Sequence, residues 1–426
     1  MSLSFLEELK WRGLLAQSTD EQELAKALTK PITAYIGFDP TAPSLHVGNL
    51  VVLLVLRRLQ LAGHTPIALV GGATGLVGDP SGRNDERSLN EESLVADWVA
   101  RIHKQVSKFL DFNAKPNGAI VVNNLDWTKN LSALELLRGV GKHFSVNQML
   151  SKDSVSSRLE SGGISYTEFS YQVLQALDYL ELFRRNNCTL QLGGSDQWGN
   201  IVAGLDLIRK VEGGSAHALT VPLLTKADGS KFGKTASGSV WLDPEMTSPY
   251  AFYQYWIQTA DADAINFLKV FTFLSKEEIE TLAKSLAENP GAREAQRALA
   301  RELTSMVHSK GDAEQAELAA KALFGQGELD SLEEKTLLSA LQQLPSTEVP
   351  SLNEIPSWID LAAATGIVDS KSAARRIVKE GGAYLNNLKV EGEDFAPAKG
   401  DFLHGKVALL RKGKRDLAAI WIAGAR

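Results

Sequence analysis

The chain has 426 residues, of which 44% are hydrophobic and 23% are charged, and its formal net charge is −6. This length exceeds what one hydrophobic core usually organises, so two or three domains are expected. No apolar run approaches the ~18–20 residues of a membrane span, and acids precede the first basic residues, which predicts a cytoplasmic protein with no membrane partner. The single cysteine, Cys188, leaves no intramolecular disulfide and is expected to be half-buried just before a strand.

The first half of the chain alternates short apolar, β-rich runs with helical patterns. The runs cover residues 33–38, 66–72, 119–124, 189–194 and 219–224. Such alternation predicts an α/β fold with a Rossmann-like, doubly wound parallel sheet flanked by helices. The first run leads into a helical stretch, 45–63, which Gly63 closes as a C-cap. Strand, loop and helix start together make a candidate phosphate site.

Composition and periodicity predict how the chain is divided. A catalytic domain is expected over 1–246, with a helical insertion at about 125–188 that is too long for an ordinary crossover. An insertion beside the switch point of the sheet can wall a pocket and offer an oligomer surface. An α-helical domain over 247–323 and a linker over 324–350, marked by glycine and proline, are expected to follow.

The predicted last module, a small α+β domain over 351–426, differs from the rest in charge. It carries 12 Lys and Arg and 9 Asp and Glu, a net +3, which leaves −9 for residues 1–350. Charge must be counted by domain, so the acidic total does not exclude a polyanionic partner for this module.

Small and polar residues gather where the first strand ends and the next helix begins. This nucleotide-site set is Gly37, Asp39, Thr41, His46, Gly48 and Asn49. Glycine lets a nucleotide approach the backbone, and imidazole or hydroxyl groups can donate to phosphate oxygens. Taken alone, the four letters HVGN at 46–49 are matched equally well by a loop histidine with no special role.

A second basic motif, KFGKT at 231–235, changes that balance. Lys231 and Lys234 flank a glycine, and Thr235 follows them. Two lysines on a mobile loop can fold over a triphosphate and neutralise charge that grows in the transition state. A lone basic loop is usually a solvated turn, but a full set of β/α units separates this one from HVGN, and the pair together favours a nucleotide site.

The two motifs resemble the HIGH-type and KMSKS-type motifs of the class I aminoacyl-tRNA synthetases. One position departs, because Asn49 stands where that family has a second histidine, and an amide can donate to ribose or phosphate but carries no charge. The segments YIGFDPTAPSLHVGNL, GGATGLVGDPSGR, SYQVLQALDYL and LQLGGSDQWGNI are similar to those of bacterial tyrosyl-tRNA synthetases. The resemblance spans most of the chain.

A candidate amino-acid pocket follows from the third of those segments. Tyr171, Gln175 and Asp178 stand at i, i+4 and i+7, so one face of one helix presents all three, which by itself could be the polar stripe of an amphipathic helix. The resemblance implies that Tyr35 and Asp178 bind a substrate phenol. It also implies that an ammonium group is held by Asp79, Tyr171 and Gln175, that Gln197 approaches a carboxylate, and that the amino group or ribose lies near Asp39, Gly193 and Asp196.

The resemblance implies activation of L-tyrosine by ATP, release of pyrophosphate, and transfer of tyrosine to the 3′ end of tRNA(Tyr), with Mg²⁺ carried by ATP. Thr41 and His46, with Asn49, are then expected at the phosphates. The leaving pyrophosphate is expected to meet Lys231, Lys234 and Thr235. A homodimer that forms through the helical insertion is a further implication.

Two basic clusters mark the predicted C-terminal module. They are Arg375, Arg376 and Lys379, on a helix followed by a glycine turn and a strand, and then Arg411, Lys412, Lys414 and Arg415. Either cluster alone could be a solvated face. Together, within a positively charged segment, they favour RNA binding, and the first run resembles the S4-type RNA-binding domain.

Four rival interpretations remain at this point. Tryptophanyl-tRNA synthetases share the catalytic fold but generally lack the C-terminal module, and Asp178 with Tyr35 favours a phenol over an indole. Small-molecule adenylyltransferases use HxGH-type motifs without a tRNA module. A non-catalytic RNA-binding relative would not need His46, Lys231 and Lys234. An S4-type domain on an RNA-modifying enzyme such as a pseudouridine synthase would leave the nucleotide motifs unexplained.

Overall fold

A computed structural model describes residues 3–79, 90–152, 155–156, 159, 163–230, 232–235, 238–351 and 354–425. The chain divides into two compact units. The first combines Met1–Asp243 with Asp261–Glu288, and the second combines Pro244–Ala260 with Asn289–Arg426. In the part of the chain so described, no helix is long and apolar enough to cross a membrane.

A six-stranded sheet lies at the centre of the first unit. The strands of this unit are β1 Gln17–Ser18, β2 Thr33–Phe38, β3 Thr65–Val70, β4 Ile120–Asn123, β5 Cys188–Gly194, β6 His217–Val221, β7 Lys234–Thr235 and β8 Gly238–Ser239. The sheet order is β1-β6-β5-β2-β3-β4, and only β1 runs antiparallel to its neighbour, while β7 and β8 form a separate hairpin. The predicted parallel sheet is therefore present, with its strands where the apolar runs predicted them.

Helices surround this sheet. In the first unit they are α1 Phe5–Arg12, α2 Glu21–Ala27, α3 Val47–Leu61, α4 Thr74–Val77, α5 Glu92–Val106, α6 Leu125–Thr128, α7 Ala133–Glu135, α8 Val146–Leu150, α9 Tyr166–Asn186 and α10 Trp198–Glu212, joined by α12 Asp261–Phe271 and α13 Lys276–Glu288. A π-helical turn, Leu136–Val140, and 3₁₀ turns at Gly141–His143 and Ser195–Gln197 complete the list.

Local sequence explains the two helices that frame the site. Helix α3 begins at the N-cap His46, and Gly63, at a φ of 94°, ends the turn that follows the helix. Helix α9 begins at Ser165, whose side chain accepts a hydrogen bond from the Glu168 backbone N–H, and it ends at Asn187 in the left-handed region. Both helices bury apolar faces against the sheet, so their ends are fixed relative to its strands.

Cys188 departs from its expected position. It is the first residue of β5 and is fully buried, in the same apolar cluster as Tyr35 and Tyr179. The parallel pairing of β5 with β2 places the start of β5 in the interior, so the half-buried position predicted for this cysteine is wrong.

The second unit contains helices and a smaller mixed sheet. Its helices are α11 Pro249–Ile257, α14 Glu294–Val307, α15 Lys310–Ala322, α16 Glu334–Gln342, α17 Trp358–Ala364 and α18 Lys371–Lys379, with 3₁₀ turns at Pro290–Ala292, Leu329–Ser331 and Lys399–Asp401. Its strands are β9 Ser346–Val349, β10 Ala383–Leu385, β11 Leu388–Lys389, β12 Val407–Lys412 and β13 Asp416–Ile422, in the order β11-β10-β12-β13-β9. Helices α17 and α18 pack their apolar faces on this sheet around the buried Trp358.

The segment predicted as a linker, 324–350, has regular structure. Helix α16 lies within it, and strand β9 pairs in parallel with β13, from Ser346 opposite Ala419 to Val349 opposite Ile422. Glycine and proline mark its turns, while apolar side chains such as those of Leu337 and Val349 are buried. The sequence pattern missed the strand because its partner is the last strand of the chain. The domain boundaries at 246, 323 and 350 stay a prediction.

Candidate active site

The candidate site lies at the carboxyl ends of β2 and β5. These two parallel strands are neighbours, and the chain leaves them toward opposite halves of the sheet, which makes this point the topological switch. In doubly wound sheets, ligands bind in the crevice outside such a point. Asp39 follows β2, while Asp196 and Gln197 follow β5, so strand order brings together residues that are ~160 positions apart in sequence.

Asp178 is a buried carboxylate held by two donors. Asn124 Nδ2 donates to Asp178 Oδ2 at 2.9 Å, and Trp127 Nε1 donates to Asp178 Oδ1 at 2.8 Å. Burial raises the pKa of Asp178 to about 7, and the two donors oppose that shift. Each carboxylate oxygen has a second lone pair, so an ionised Asp178 can accept a further hydrogen bond.

The Tyr35 hydroxyl lies in the same interior. The side chain is 1% exposed, and its oxygen has no hydrogen-bond partner within the described residues. Burial, and then the charge of Asp178, raise the pKa of Tyr35, so it is a neutral donor. An unpaired buried hydroxyl costs free energy unless a ligand completes it. Tyr35 and Asp178 therefore suit a ligand hydroxyl that both donates and accepts.

The next part of the site is acidic. Tyr171 Oη donates to Asp39 Oδ2 at 2.7 Å, and Thr74 Oγ1 donates to Asp39 Oδ1 at 2.7 Å. The carboxylates of Asp39 and Asp79 act electrostatically on Tyr171, whose pKa is raised first by burial. Gln175 Oε1 is buried without a partner among the described residues. A carbonyl oxygen beside carboxylates suits a cationic donor such as an ammonium group.

Gln197 extends the site beyond the acidic part. Its Nε2 donates to Asp79 Oδ2 at 2.7 Å. The neighbouring Asp196 has a raised pKa because of burial and, to a lesser extent, the charge of Asp79. Gly193 lies close to two side chains, because an added Cβ there would stand 2.9 Å from Ile201 Cδ1 and 3.5 Å from Gln197 Cβ. A side chain at 193 would therefore require the Ile201 side chain to move.

The first nucleotide motif forms the start of α3. His46 Nδ1 accepts from the Gly48 backbone N–H at 3.0 Å, and Asn49 Oδ1 accepts from the His46 backbone N–H at 3.1 Å. With Nδ1 accepting, a neutral imidazole carries its proton on Nε2 and can donate outward. Asn49 supplies half of a capping box, because its amide oxygen accepts a hydrogen bond from the His46 backbone N–H. A histidine side chain has no amide oxygen.

The second motif lies directly against the first. An added Cβ on Gly233, which has a φ of 79°, would stand 3.0 Å from Val47 Cγ2. The Val47 backbone N–H donates to the oxygen of Val240, and His46 forms a β-bridge with Trp241. Lys234 and Thr235 form strand β7, but their side chains, and Lys231 entirely, lie outside the described residues. Folding thus brings the backbones of the two motifs together.

The other glycine and hydroxyl positions of the nucleotide set are open. Gly37 is exposed although it lies within β2, and an added Cβ would meet only Leu69 Cδ2, at 3.8 Å. Thr41 is exposed on the loop after β2. These positions leave space beside the strand end for a bulky ligand.

Comparison with known proteins identifies the family of this chain. The family described as tRNA synthetases class I (W and Y) matches residues 26–325, and the tyrosine–tRNA ligase SYY-like C-terminal domain matches residues 337–420. The tyrosine–tRNA ligase of Streptomyces coelicolor is 59% identical over 423 residues, 99% of each chain. That of Mycobacterium bovis is 56% identical over 422 residues, again 99% of each.

The chain belongs to the tyrosine–tRNA ligases of class I.

Solved structures agree with this assignment. The C-terminally truncated mitochondrial tyrosyl-tRNA synthetase of Aspergillus nidulans is 32% identical, with a TM-score of 0.69, over 76% of this chain and 95% of that one. A tryptophanyl-tRNA synthetase from Encephalitozoon cuniculi, 14% identical with a TM-score of 0.53 over 78% and 89% of the two chains, shows the shared fold alone. The four rival interpretations are therefore set aside, and the reaction is ATP-dependent ligation of tyrosine to tRNA.

The first predicted RNA-binding cluster lies on α18 in the second unit. The side chains of Arg376 and Lys379 are 74% and 71% accessible. Lys379 Nζ lies 3.0 Å from Glu393 Oε1, and Arg375 Nε lies 3.7 Å from Glu393 Oε2. Exposed pairs of this kind are weak, so a phosphate can replace the carboxylate.

The second cluster divides. Lys414 and Arg415 are exposed at the turn between β12 and β13. Arg411 is only 9% exposed, stacks over the Tyr384 ring at 3.8 Å, and donates to Asn387 Oδ1 at 3.0 Å. Lys412 Nζ donates to the Ile367 oxygen at 2.9 Å. The side chains of Arg411 and Lys412 thus both make contacts within this unit, whereas Lys414 and Arg415 are exposed.

Sequence reasoning missed three residues of the ligase site, namely Thr74, Asn124 and Trp127. None was singled out from the sequence, although Thr74 lies within the segment GGATGLVGDPSGR, and each donates to a carboxylate that the sequence did identify. One signal was present, because Asn124 ends the predicted strand 119–124 and so lies at the ligand-binding edge of the sheet.

Proposed function

We propose that tyrosine binds with its phenol between Tyr35 and Asp178 and its ammonium group beside Tyr171, Gln175 and Asp79. The observation that carries this proposal is the unpaired, buried Tyr35 hydroxyl next to a buried carboxylate. The tyrosine carboxylate then extends toward Gln197, and the acidic surroundings of Asp39 and Asp196 suit the ammonium group and the ribose.

Adenylation proceeds by positioning and charge stabilisation. A carboxylate oxygen of tyrosine attacks the α-phosphorus of ATP, and the bond to the bridging oxygen breaks, so that pyrophosphate leaves with its electron pair. A carboxylate is already a nucleophile at neutral pH and needs no base. Thr41, His46 and Asn49 approach the phosphates, while Gly37 and Gly48 give the nucleotide access to the backbone.

The KFGKT loop serves the leaving group. Lys231, Lys234 and Thr235 act on the pyrophosphate as its charge grows. Support comes from Gly233, which holds the backbone of the loop against the start of α3. We propose that Mg²⁺ arrives with ATP, bound by its phosphates.

Transfer to tRNA requires a second surface. The exposed basic residues of α18 and of the β12–β13 turn are the proposed contacts, namely Arg375, Arg376, Lys379, Lys414 and Arg415. Their clustering in the net-positive C-terminal segment supports this role. We assign Arg411 and Lys412 to the stability of the unit. A homodimer through the insertion and a cytoplasmic location, where tRNA and ATP are available, complete the proposal.

Tyrosine-dependent exchange between ATP and pyrophosphate, run beside phenylalanine and tryptophan, tests the pocket. We expect exchange with tyrosine alone in the wild type. Tyr35→Phe removes one neutral hydrogen bond, so the tyrosine KM should rise about 2- to 10-fold and discrimination against phenylalanine should fall. An unchanged ratio of tyrosine to phenylalanine activity in Tyr35→Phe would overturn the phenol assignment.

Lys234→Ala tests the loop. Adenylate formation, followed by stopped flow, should slow markedly while tyrosine binding stays near its wild-type value, since the lysine acts on charge that appears only in the transition state. Equal rates in the variant and the wild type would show that the loop has another role.

A further inference from the structure

Lys152 is a partly buried lysine that connects three elements of the first unit. It follows α8, and its Nζ donates to Gln172 Oε1 at 2.6 Å and to the backbone oxygen of Gly199 at 2.6 Å. Burial lowers the pKa of Lys152 to about 8, and Gln172 is only 4% exposed. An ammonium group in such surroundings stays charged only because acceptors surround it.

The two acceptors belong to the two elements that carry the proposed tyrosine contacts. Gln172 is the neighbour of Tyr171 on α9. Gly199 lies in the first turn of α10, two positions after Gln197. One ammonium group thus joins the helix that faces the substrate ammonium to the turn that faces the substrate carboxylate.

Lys152 lies beside a cavity of about 410 Å³, which Gln172, Phe144, Met149 and Trp198 also line. Side chains do not fill the space on this side of Lys152, so its two hydrogen bonds hold its ammonium group against Gln172 and Gly199.

We propose that Lys152 is a positioning residue for tyrosine, which sets the distance between Tyr171 and Gln197 by binding Gln172 and Gly199 at once. This inference rests on the proposed tyrosine contacts. Lys152 acts through its acceptors and is not a catalytic residue. Losing it lets α9 and the start of α10 shift, which displaces Tyr171 and Gln197 from the positions at which they bind tyrosine.

Lys152→Met in the full-length enzyme tests this role by tyrosine-dependent pyrophosphate exchange, an assay that contains no tRNA. The tyrosine KM should rise about 5- to 10-fold while kcat and the ATP KM change less than about 2-fold, the pattern of lost ground-state binding. Gln172→Leu should reproduce that pattern. The double variant should be no worse than either single variant, because both remove the same link.

Lys210→Met is the matched control. Lys210 Nζ donates to the backbone oxygen of His143 at 2.7 Å, so it also ties the insertion to α10, but at the far end of that helix. Its tyrosine KM should stay at the wild-type value. An equal KM increase in Lys210→Met would mean general loosening of the insertion and would overturn the proposal.

Two other outcomes also decide the matter. An unchanged tyrosine KM in both Lys152→Met and Gln172→Leu would overturn the positioning role, and a simultaneous loss of tRNA charging would assign the lysine to RNA. Tyr171→Phe tests the underlying pocket separately. If that variant left the tyrosine KM unchanged, the tyrosine contacts themselves would be wrong, whatever Lys152 does.

Discussion

The carboxylate of Asp178 is a buried charge in the proposed tyrosine pocket. Asp178 is 3% exposed, and the two donors that face its carboxylate, Asn124 and Trp127, come from the end of β4 and from α6. Burial outweighs these donors and raises the pKa to about 7. For an acid whose pKa is raised by folding, the contribution to stability is full below its unfolded pKa and is lost as the pH rises through about 7.

This shift predicts how tyrosine binding depends on pH. In the proposed pocket the substrate phenol donates to an ionised Asp178, so protonation of the carboxyl below a pKa of about 7 should weaken binding. If only the ionised form binds, the tyrosine KM should be about 10-fold higher at pH 6 than at pH 8. Pyrophosphate exchange measured from pH 5.5 to 8.5 checks this expectation.

Two variants separate Asp178 from its neighbours. The pKa of Asp196 is also raised, but Asp196→Asn should leave the pH dependence of the tyrosine KM unchanged. Tyrosine binding to Asp178→Asn, measured by calorimetry, should be weak and independent of pH. A wild-type KM that stays constant across this range would contradict the assignment of Asp178 to the phenol.

At the scale of elements, the β7–β8 hairpin is placed by a glycine. Gly233 has a φ of 79°, and an added Cβ would come within 3.0 Å of Val47 Cγ2, at the first turn of α3. Gly229, with a φ of 78°, has nothing within 4 Å of the same position. Alanine is strained at both residues, but only at 233 does it also push the loop away from the first motif.

We therefore expect Gly233→Ala to slow adenylation about 10-fold or more. The displaced loop would no longer stabilise the charge that grows on the leaving pyrophosphate in the transition state. Tyrosine binding should change little, because Tyr35, Tyr171, Gln175 and Asp178 lie on β2 and α9. Gly229→Ala is the control for backbone strain and should keep a near-normal rate. Single-turnover measurement of adenylate formation compares them, and equal slowing in both variants would attribute the effect to strain alone.

The basic elements of the second unit carry a prediction about tRNA. Reversing charge at Arg376 and Lys379 removes two exposed cations, so the tRNA KM should rise about 10-fold or more and the salt dependence of binding should weaken. Exchange of pyrophosphate, which needs no tRNA, should be unaffected. Charging assays at several salt concentrations provide the measurement.

Arg411 supplies the contrasting case. Because its guanidinium stacks on Tyr384 and bonds Asn387, Arg411→Ala should lower the melting temperature of the protein, whereas Arg415→Ala should not. A fall in tRNA affinity for Arg411→Ala with unchanged melting would show that this arginine contacts RNA after all.

At the scale of the whole molecule, the insertion exposes several large apolar side chains. They are Leu134 at 73%, Leu137 at 53%, Val146 at 59% and Tyr166 at 74%. Monomers seldom expose such residues together, and their place within one insertion supports a self-association surface.

Leu137→Asp combined with Val146→Asp should therefore convert the proposed dimer into monomers, since an unpaired charge cannot be buried in an apolar interface. Light scattering on a sizing column reports the mass. Leu61→Asp, at a leucine that is 60% exposed on α3, is the matched control and should keep the wild-type mass. A wild-type protein that runs as a monomer at micromolar concentration would refute this arrangement.

Local pattern determined much of this protein. The β2 strand, the cap of α3 and the shared helix face of Tyr171, Gln175 and Asp178 are set by residues close in sequence, because alternation and helical periodicity act over short distances. The nucleotide motifs and the basic helix α18 are likewise set by residues that are close in sequence. They were enough to predict the fold class and a nucleotide site, whereas the reaction was predicted from the resemblance of several segments to a known family.

The tertiary structure decided what depends on distant partners. Asn124 and Trp127 meet Asp178, Gly233 meets Val47, and β9 pairs with β13 only after the chain has folded. Burial of Arg411 likewise follows from strand pairing that basic composition does not reveal. Long-range packing sets desolvation and hydrogen-bond partners, so it sets the charge state of the pocket, while the sequence supplies only the groups that can be charged.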